Sequence, residues 1–168
     1  EEAVHLIYQH LKAAYDDGTN KEARSGMLKA AYCAGVAFTK SYVGYIHAVA
    51  HSLGGQYGTP HGLANAVILP IVLRMYGPAC QKKLAALARN AGVVEREMED
   101  PEAADCFVDW IRKMNDSMEI PRHFPEIQEE DIPVMASHAD KEGNPLYPVP
   151  VLMDKRELEK IYYEVKGR

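Results

Sequence analysis

Strand signals are nearly absent: no run alternates apolar and polar residues over six positions with β-branched enrichment. Cysteine is also scarce, and Cys33, Cys80 and Cys106 show no metal-type spacing. That excludes a disulfide framework and a zinc-finger array, and it suits inert thiols in a reducing compartment. The basic residues are scattered and the net charge is -5, so nucleic acid meets no electrostatic footprint. The longest apolar run, Leu63 to Leu73, is broken by Asn65 and Pro70 and is too short to span a bilayer. Neither a signal peptide nor a lipidation motif is visible, and the expected location is cytoplasmic. Glycine-rich GxGxxG or GGGS-type strings, which cradle nucleotides, do not occur. An initiator methionine is missing, and Val4, Ile7, Leu11 and Ala14 already follow a helical period at the first residues. The expectation is one helical domain over residues 1–168 that is a piece of a longer polypeptide.

Helix signals run nearly throughout, and the fold class is all-α. A second helix starts after Asn20, a good cap, with Met27, Ala31, Ala34 and Phe38 on one face. A third carries His47 and His51, and a fourth opens at Pro60 or His61 and is kinked or ended by Pro70. The fifth places Leu84, Leu87, Ala88 and Ala91 inward and stops at Gly92. In the sixth, Asp100 caps and Pro101 takes the first turn, with Phe107, Ile111, Met114 and Met118 on a stripe. A short helix is expected near residues 131–139, followed by an extended "EGNPLYPVPVLMD" segment. The last helix begins at Asp154 with Glu157 as its capping-box partner, burying Leu158, Ile161, Tyr162 and Val165.

Three of the seven histidines lie in "YIHAVAHSLGGQYGTPHG". His47 and His51 are four apart, so one helix face presents both imidazoles, a standard way to offer two donors to one cation. The "SLGGQYGTP" segment reads as a turn that returns His61 to the same place. The small apolar flanks "AVA" and "SLGG" suggest that the cluster is buried. A zincin-type protease is disfavoured, because position 48 is alanine rather than the glutamate of HExxH. His5 and His10, five apart, read as solvent-exposed, and His123 and His138 read as surface residues. A generic H-x3-H is more often a surface or core pair than a metal site. A stand-alone module using His47, His51 and His61 as a complete site is the rival to a site finished elsewhere.

The string "AGVAFTKSYVGYIHAVAHSLGGQYGTPHGLANAVILPIVLRMY", residues 34–76, resembles the C-terminal helical domain of iron-containing (group III) alcohol dehydrogenases. The "NPLYPVP" loop before the last helix also fits, so the resemblance covers essentially the whole chain. It implies the multi-helix metal-binding domain of the fold shared in outline with dehydroquinate synthase and glycerol dehydrogenase. It further implies an N-terminal α/β domain that binds NAD or NADP, small alcohols or aldehydes as substrates, and frequent dimerisation through that other domain. The metal of such enzymes, Fe²⁺ and in some members Zn²⁺, is held by one aspartate and three histidines. Two of those histidines match His47 and His61, and the residue matching His51 is a candidate for proton transfer. Phe38 matches a position that lines the substrate pocket. The other two ligands belong to a D-x3-H string, and none occurs here: Asp16 and Asp17 are followed four residues on by Asn20 and Lys21. The chain by itself is therefore expected to hold half a metal site and to be inactive as a dehydrogenase.

Overall fold

A computed structural model describes residues 1–167, and Arg168 lies outside the described residues. The helical periods of the sequence are realised as eight α-helices and two short 3-10 turns, with no strand among the described residues. They group into two compact units, Glu1–Ser41 with Pro78–Met114, and Tyr42–Gly77 with the described residues from Asn115 on.

In the first unit, α1 (Glu2–Asp16) packs along α2 (Lys21–Ser41) and against α5 (Gln81–Ala91), with α6 (Asp100–Ser117) contributing its residues up to Met114. Asn20 caps α2 as expected, its side-chain oxygen accepting the Ala23 N–H at 3.0 Å. The buried face differs from the expected one. Ala23 and Ala30 are the fully buried residues of α2, while Ala31 and Phe38 are exposed. The cause is close backbone approach: at Gly26, between those alanines, an added Cβ would come 2.2 Å from the His10 ring. For the same reason His10 is half-buried rather than exposed, and His5 is half-buried too. On α1 the buried residue is Leu6, with Val4, Ile7, Leu11 and Ala14 only partly covered. α5 buries Leu84, Ala88 and Ala91, with Ala85 in place of the half-buried Leu87, and Gly92 ends it at φ 89°. Asp100 is the first residue of α6 rather than its cap, and its carboxylate accepts from Arg89 at 2.8 Å. Of the expected stripe on α6, Phe107 is buried and Ile111 is half-buried.

In the second unit, α3 (Tyr45–Tyr57) packs on α4 (His61–Tyr76) and on α7 (Ile132–Gly143), and α8 (Lys155–Lys166) covers α4 and α7. The stripe Leu158, Ile161, Tyr162 and Val165 is buried to the last atom, as read from the sequence. The capping box is present as well, with Asp154 and Glu157 each accepting the other's backbone N–H at 2.9 Å. Two buried phenols brace this core. Tyr162 bonds Ser52 and donates to the Met135 carbonyl at 3.2 Å, and burial pushes its hydroxyl well above the usual phenol range. Tyr45 donates to Asn144 Oδ1 at 2.6 Å and accepts the Met153 N–H at 3.1 Å.

Three expectations are refined here. Of the two outcomes expected at Pro70, an end of the helix does not occur, and α4 runs through it to Tyr76. Proline has no N–H to give the Ala66 carbonyl four residues back, and the Asn115 side-chain amide donates to that carbonyl at 2.8 Å instead. With the 3-10 turn that follows, His61–Ala79 makes a helical segment of 19 residues, long and apolar enough on those grounds alone to cross a membrane. Its Val67, Ile68 and Val72 are buried in the core of the second unit. α7 is longer than expected and reaches Gly143. The "NPLYP" segment turns rather than extends, with the Tyr147 N–H bonded to the Gly143 carbonyl at 2.9 Å.

Replacing Asn115 by alanine leaves the Ala66 carbonyl without this donor. The expected cost is about 1–3 kcal/mol, a drop of a few degrees in thermal midpoint. An unchanged midpoint contradicts the role given to Asn115.

Candidate metal centre

His47 and His51 lie one turn apart on α3, roughly opposite Val49 and Leu53, which fill the core together with Ala48 and Ala50. α3 runs through Gly54 and Gly55, so the chain reversal is shorter than the sequence suggested. Gly58 ends the helix in the left-handed region at φ 67°, its N–H bonded to the Gly54 carbonyl at 2.9 Å. Gly54 is itself held to a small size, since a Cβ there would stand 3.3 Å from the Thr59 carbonyl. Pro60 then leads into α4, whose first residue is His61.

This short reversal brings the three imidazoles together. Ring centroids are 5.3 Å apart for His47 and His61, 5.1 Å for His51 and His61, and 6.0 Å for His47 and His51. The cluster is not buried as expected: His47 is half-buried, and His51 and His61 are exposed. Of the small apolar flanks that suggested burial, Val49 and Leu53 point to the core from the opposite side of α3. Among the described residues, no three or more His, Cys, Asp or Glu side chains are arranged to hold a metal ion.

Each histidine has a different environment. Burial holds the His47 imidazole below its usual range, with the positive fields of His61 and His51 adding to it and Glu142 opposing it. A neutral imidazole, with a lone pair to give, is the form in which histidine binds a cation. His61 has the Asn65 side-chain nitrogen 3.1 Å from its Nε2. His51 Nδ1 lies 2.7 Å from Glu142 Oε1, and that same oxygen accepts the Tyr147 hydroxyl at 2.8 Å. Neither Glu142 nor Tyr147 was singled out from the sequence. Glu142 is 91 positions from His51 and falls beyond the expected end of α7, so no local spacing signals it.

Of the other sequence candidates, Phe38 stands on α2 in the first unit, 53% exposed. His123 and His138 are exposed as expected, His123 with its Nδ1 3.0 Å from the Glu164 carbonyl.

Comparison with known proteins identifies the chain's relatives. A family model for the C-terminal part of the Fe-containing alcohol dehydrogenase family matches residues 1–165. Alcohol dehydrogenase 4 of Saccharomyces cerevisiae is 41% identical over 140 residues, covering 81% of this chain and 35% of the yeast protein. The 1,3-propanediol dehydrogenase of Citrobacter freundii is 36% identical over 163 residues, covering 96% of this chain and 42% of its own length. The chain therefore spans well under half the length of these relatives. Among solved structures, a 1,3-propanediol oxidoreductase superposes with a TM-score of 0.89 at 36% identity, covering 96% of this chain and 42% of that one. An alcohol dehydrogenase from Oenococcus oeni gives 0.90 at 33%, covering 98% and 43%.

The environment of His47 has a pH consequence. Its folded pKa lies below the unfolded value of about 6.5, so the unfolded chain takes up the proton first as pH falls. Stability contributed by neutral His47 is present above about 6.5 and is lost as pH drops from there through the lower folded value. In an NMR titration of the metal-free chain, the His47 ring is expected to titrate below about 6.5. Titration at or above that value contradicts the burial argument.

Proposed function

The chain belongs to the Fe-containing alcohol dehydrogenase family, as its C-terminal helical domain, and on that premise we propose that it is the metal-holding part of an enzyme interconverting alcohols with aldehydes or ketones by means of NAD or NADP. The observation that carries this reading is the adjacency of His47 and His61, at 5.3 Å between ring centroids, on a reversal that only α3 and α4 build. Neutral imidazoles suit Fe²⁺ or Zn²⁺ better than Mg²⁺, and the lowered pKa of His47 fits that donor role. When bound, such a cation supplies Lewis acidity toward an alcohol oxygen, and the nicotinamide supplies the hydride acceptor.

The residues of this chain divide the remaining work. His47 and His61 would hold the cation. His51, beside both but engaged at Nδ1 by Glu142, takes the proton that the alcohol gives up, a task suited to an imidazole near neutral pH. Phe38 provides an apolar side chain to the substrate pocket, by its match to the family position. No D-x3-H string that would supply the other two ligands occurs in the 168 residues.

A titration with Fe²⁺ under anaerobic conditions, and with Zn²⁺, tests the assignment. The chain is expected to bind either ion several kcal/mol more weakly than the roughly 10–16 kcal/mol of a complete structural zinc site. A His47→Ala variant should abolish that binding. Tight one-to-one binding, or binding indifferent to His47→Ala, contradicts it. Turnover of an aldehyde with NADH or NADPH by this chain alone contradicts the division of the site.

A further inference from the structure

The contact between Glu142 and His51 can be taken further than an ion pair. An exposed carboxylate–imidazole pair standing alone would count for little, and here the two side chains are 45% and 32% exposed. What sets this pair apart is that both ends are held. Glu142 Oε1 accepts a hydrogen bond from Tyr147 at 2.8 Å and lies 2.7 Å from His51 Nδ1. Tyr147 is fixed by its own N–H on the Gly143 carbonyl at 2.9 Å, in the turn that directly follows Glu142. Gly143 in turn packs flat against Tyr45, where a Cβ would come 2.8 Å from the ring. On its other side the His51 ring stacks on His61, 21° from parallel.

The chemistry of the donors then fixes a proton. An ionised carboxylate only accepts hydrogen bonds. The Tyr147 phenol, pushed up by burial and by its bond to Glu142, keeps its hydrogen and is the first donor. The second donor has to be His51 Nδ1–H. A neutral imidazole with its hydrogen on Nδ1 carries its lone pair on Nε2, whereas an unconstrained histidine side chain prefers the opposite tautomer.

We propose that Glu142, braced by Tyr147, is a positioning residue that holds His51 in the Nδ1–H tautomer and so presents Nε2 as the open proton acceptor. The inference deepens the dehydrogenase reading, since it assigns the atom of His51 that takes the alcohol proton. It uses the logic by which a buried carboxylate orients a catalytic imidazole in hydrolases, with the carboxylate contributed by the end of α7 and the imidazole by α3.

The test is the tautomer itself. Two-bond ¹⁵N–¹H correlation spectra of the ¹⁵N-labelled chain are recorded near pH 8, above the ordinary imidazole range. His51 is expected to show a protonated Nδ1 and an unprotonated Nε2. In Glu142→Ala the balance should shift to Nε2–H as the major form. His123, whose Nδ1 faces the Glu164 carbonyl at 3.0 Å, serves as an internal check that the variant is folded. A wild-type His51 found mainly as Nε2–H overturns the proposal, and so does a folded Glu142→Ala variant with an unchanged tautomer. Should that variant not fold, the wild-type spectrum decides alone. The dehydrogenase reading fails separately: a chain with Nδ1–H His51 whose His47 and His61 bind no cation keeps the pair and loses the function. The reverse result, cation binding at His47 with Nε2–H at His51, keeps the function and removes Glu142 from it.

Discussion

The hydroxyl of Tyr45 is the constraint on which the rest of the second unit depends. The ring is fully buried at the first turn of α3, where an unpaired phenol would cost about 1–3 kcal/mol. It is satisfied by Asn144 and Met153, which lie on either side of the "PLYPVPVL" segment. Asn144 completes the clasp by donating to Asp140 at 2.8 Å and to the Met153 carbonyl at 2.9 Å. These bonds tie the start of α3 to the end of α7. His47 follows Tyr45 by two residues and His51 by six, while Glu142 precedes Asn144 by two. The polar clasp thus sets the spacing between imidazole and carboxylate at the surface above it.

A second constraint is local. The reversal between α3 and α4 occupies only the stretch from Gly58 to Pro60, and it places His61 against both histidines of α3. The glycine at 58 supplies the left-handed residue that the reversal needs. Together the two constraints give one face whose members have distinct surroundings: a half-buried His47 whose imidazole pKa is lowered by burial, an exposed His61 beside it, and a His51 with Glu142 at its Nδ1.

What could be read from the sequence follows the range over which each interaction acts. The capping box and buried stripe of α8 are determined within a few residues, and they appear as read. The convergence of His47, His51 and His61 spans two adjacent helices and was legible for the same reason. Interactions between distant residues were not. Asn115 lets α4 pass Pro70 from 49 positions away, and Glu142 reaches His51 across 91. The burial of the cluster was misjudged because small apolar neighbours say that a helix has a packed face, not which face it is. On α2 the expected stripe was displaced because Gly26 and its alanine neighbours admit the His10 ring, so the seam forms there and Phe38 stays exposed.

The central claim is that this chain offers a cation two imidazoles, His47 and His61, and reserves His51 for a proton. X-ray absorption at the zinc edge of the Zn²⁺-loaded chain tests it most directly, because imidazole rings give a multiple-scattering pattern from which they can be counted. The account predicts two imidazoles per zinc, with the other ligands light atoms from solvent, and no change in that number in a His51→Ala variant. Three imidazoles per zinc, falling to two when His51 is replaced, would make His51 a ligand and contradict it.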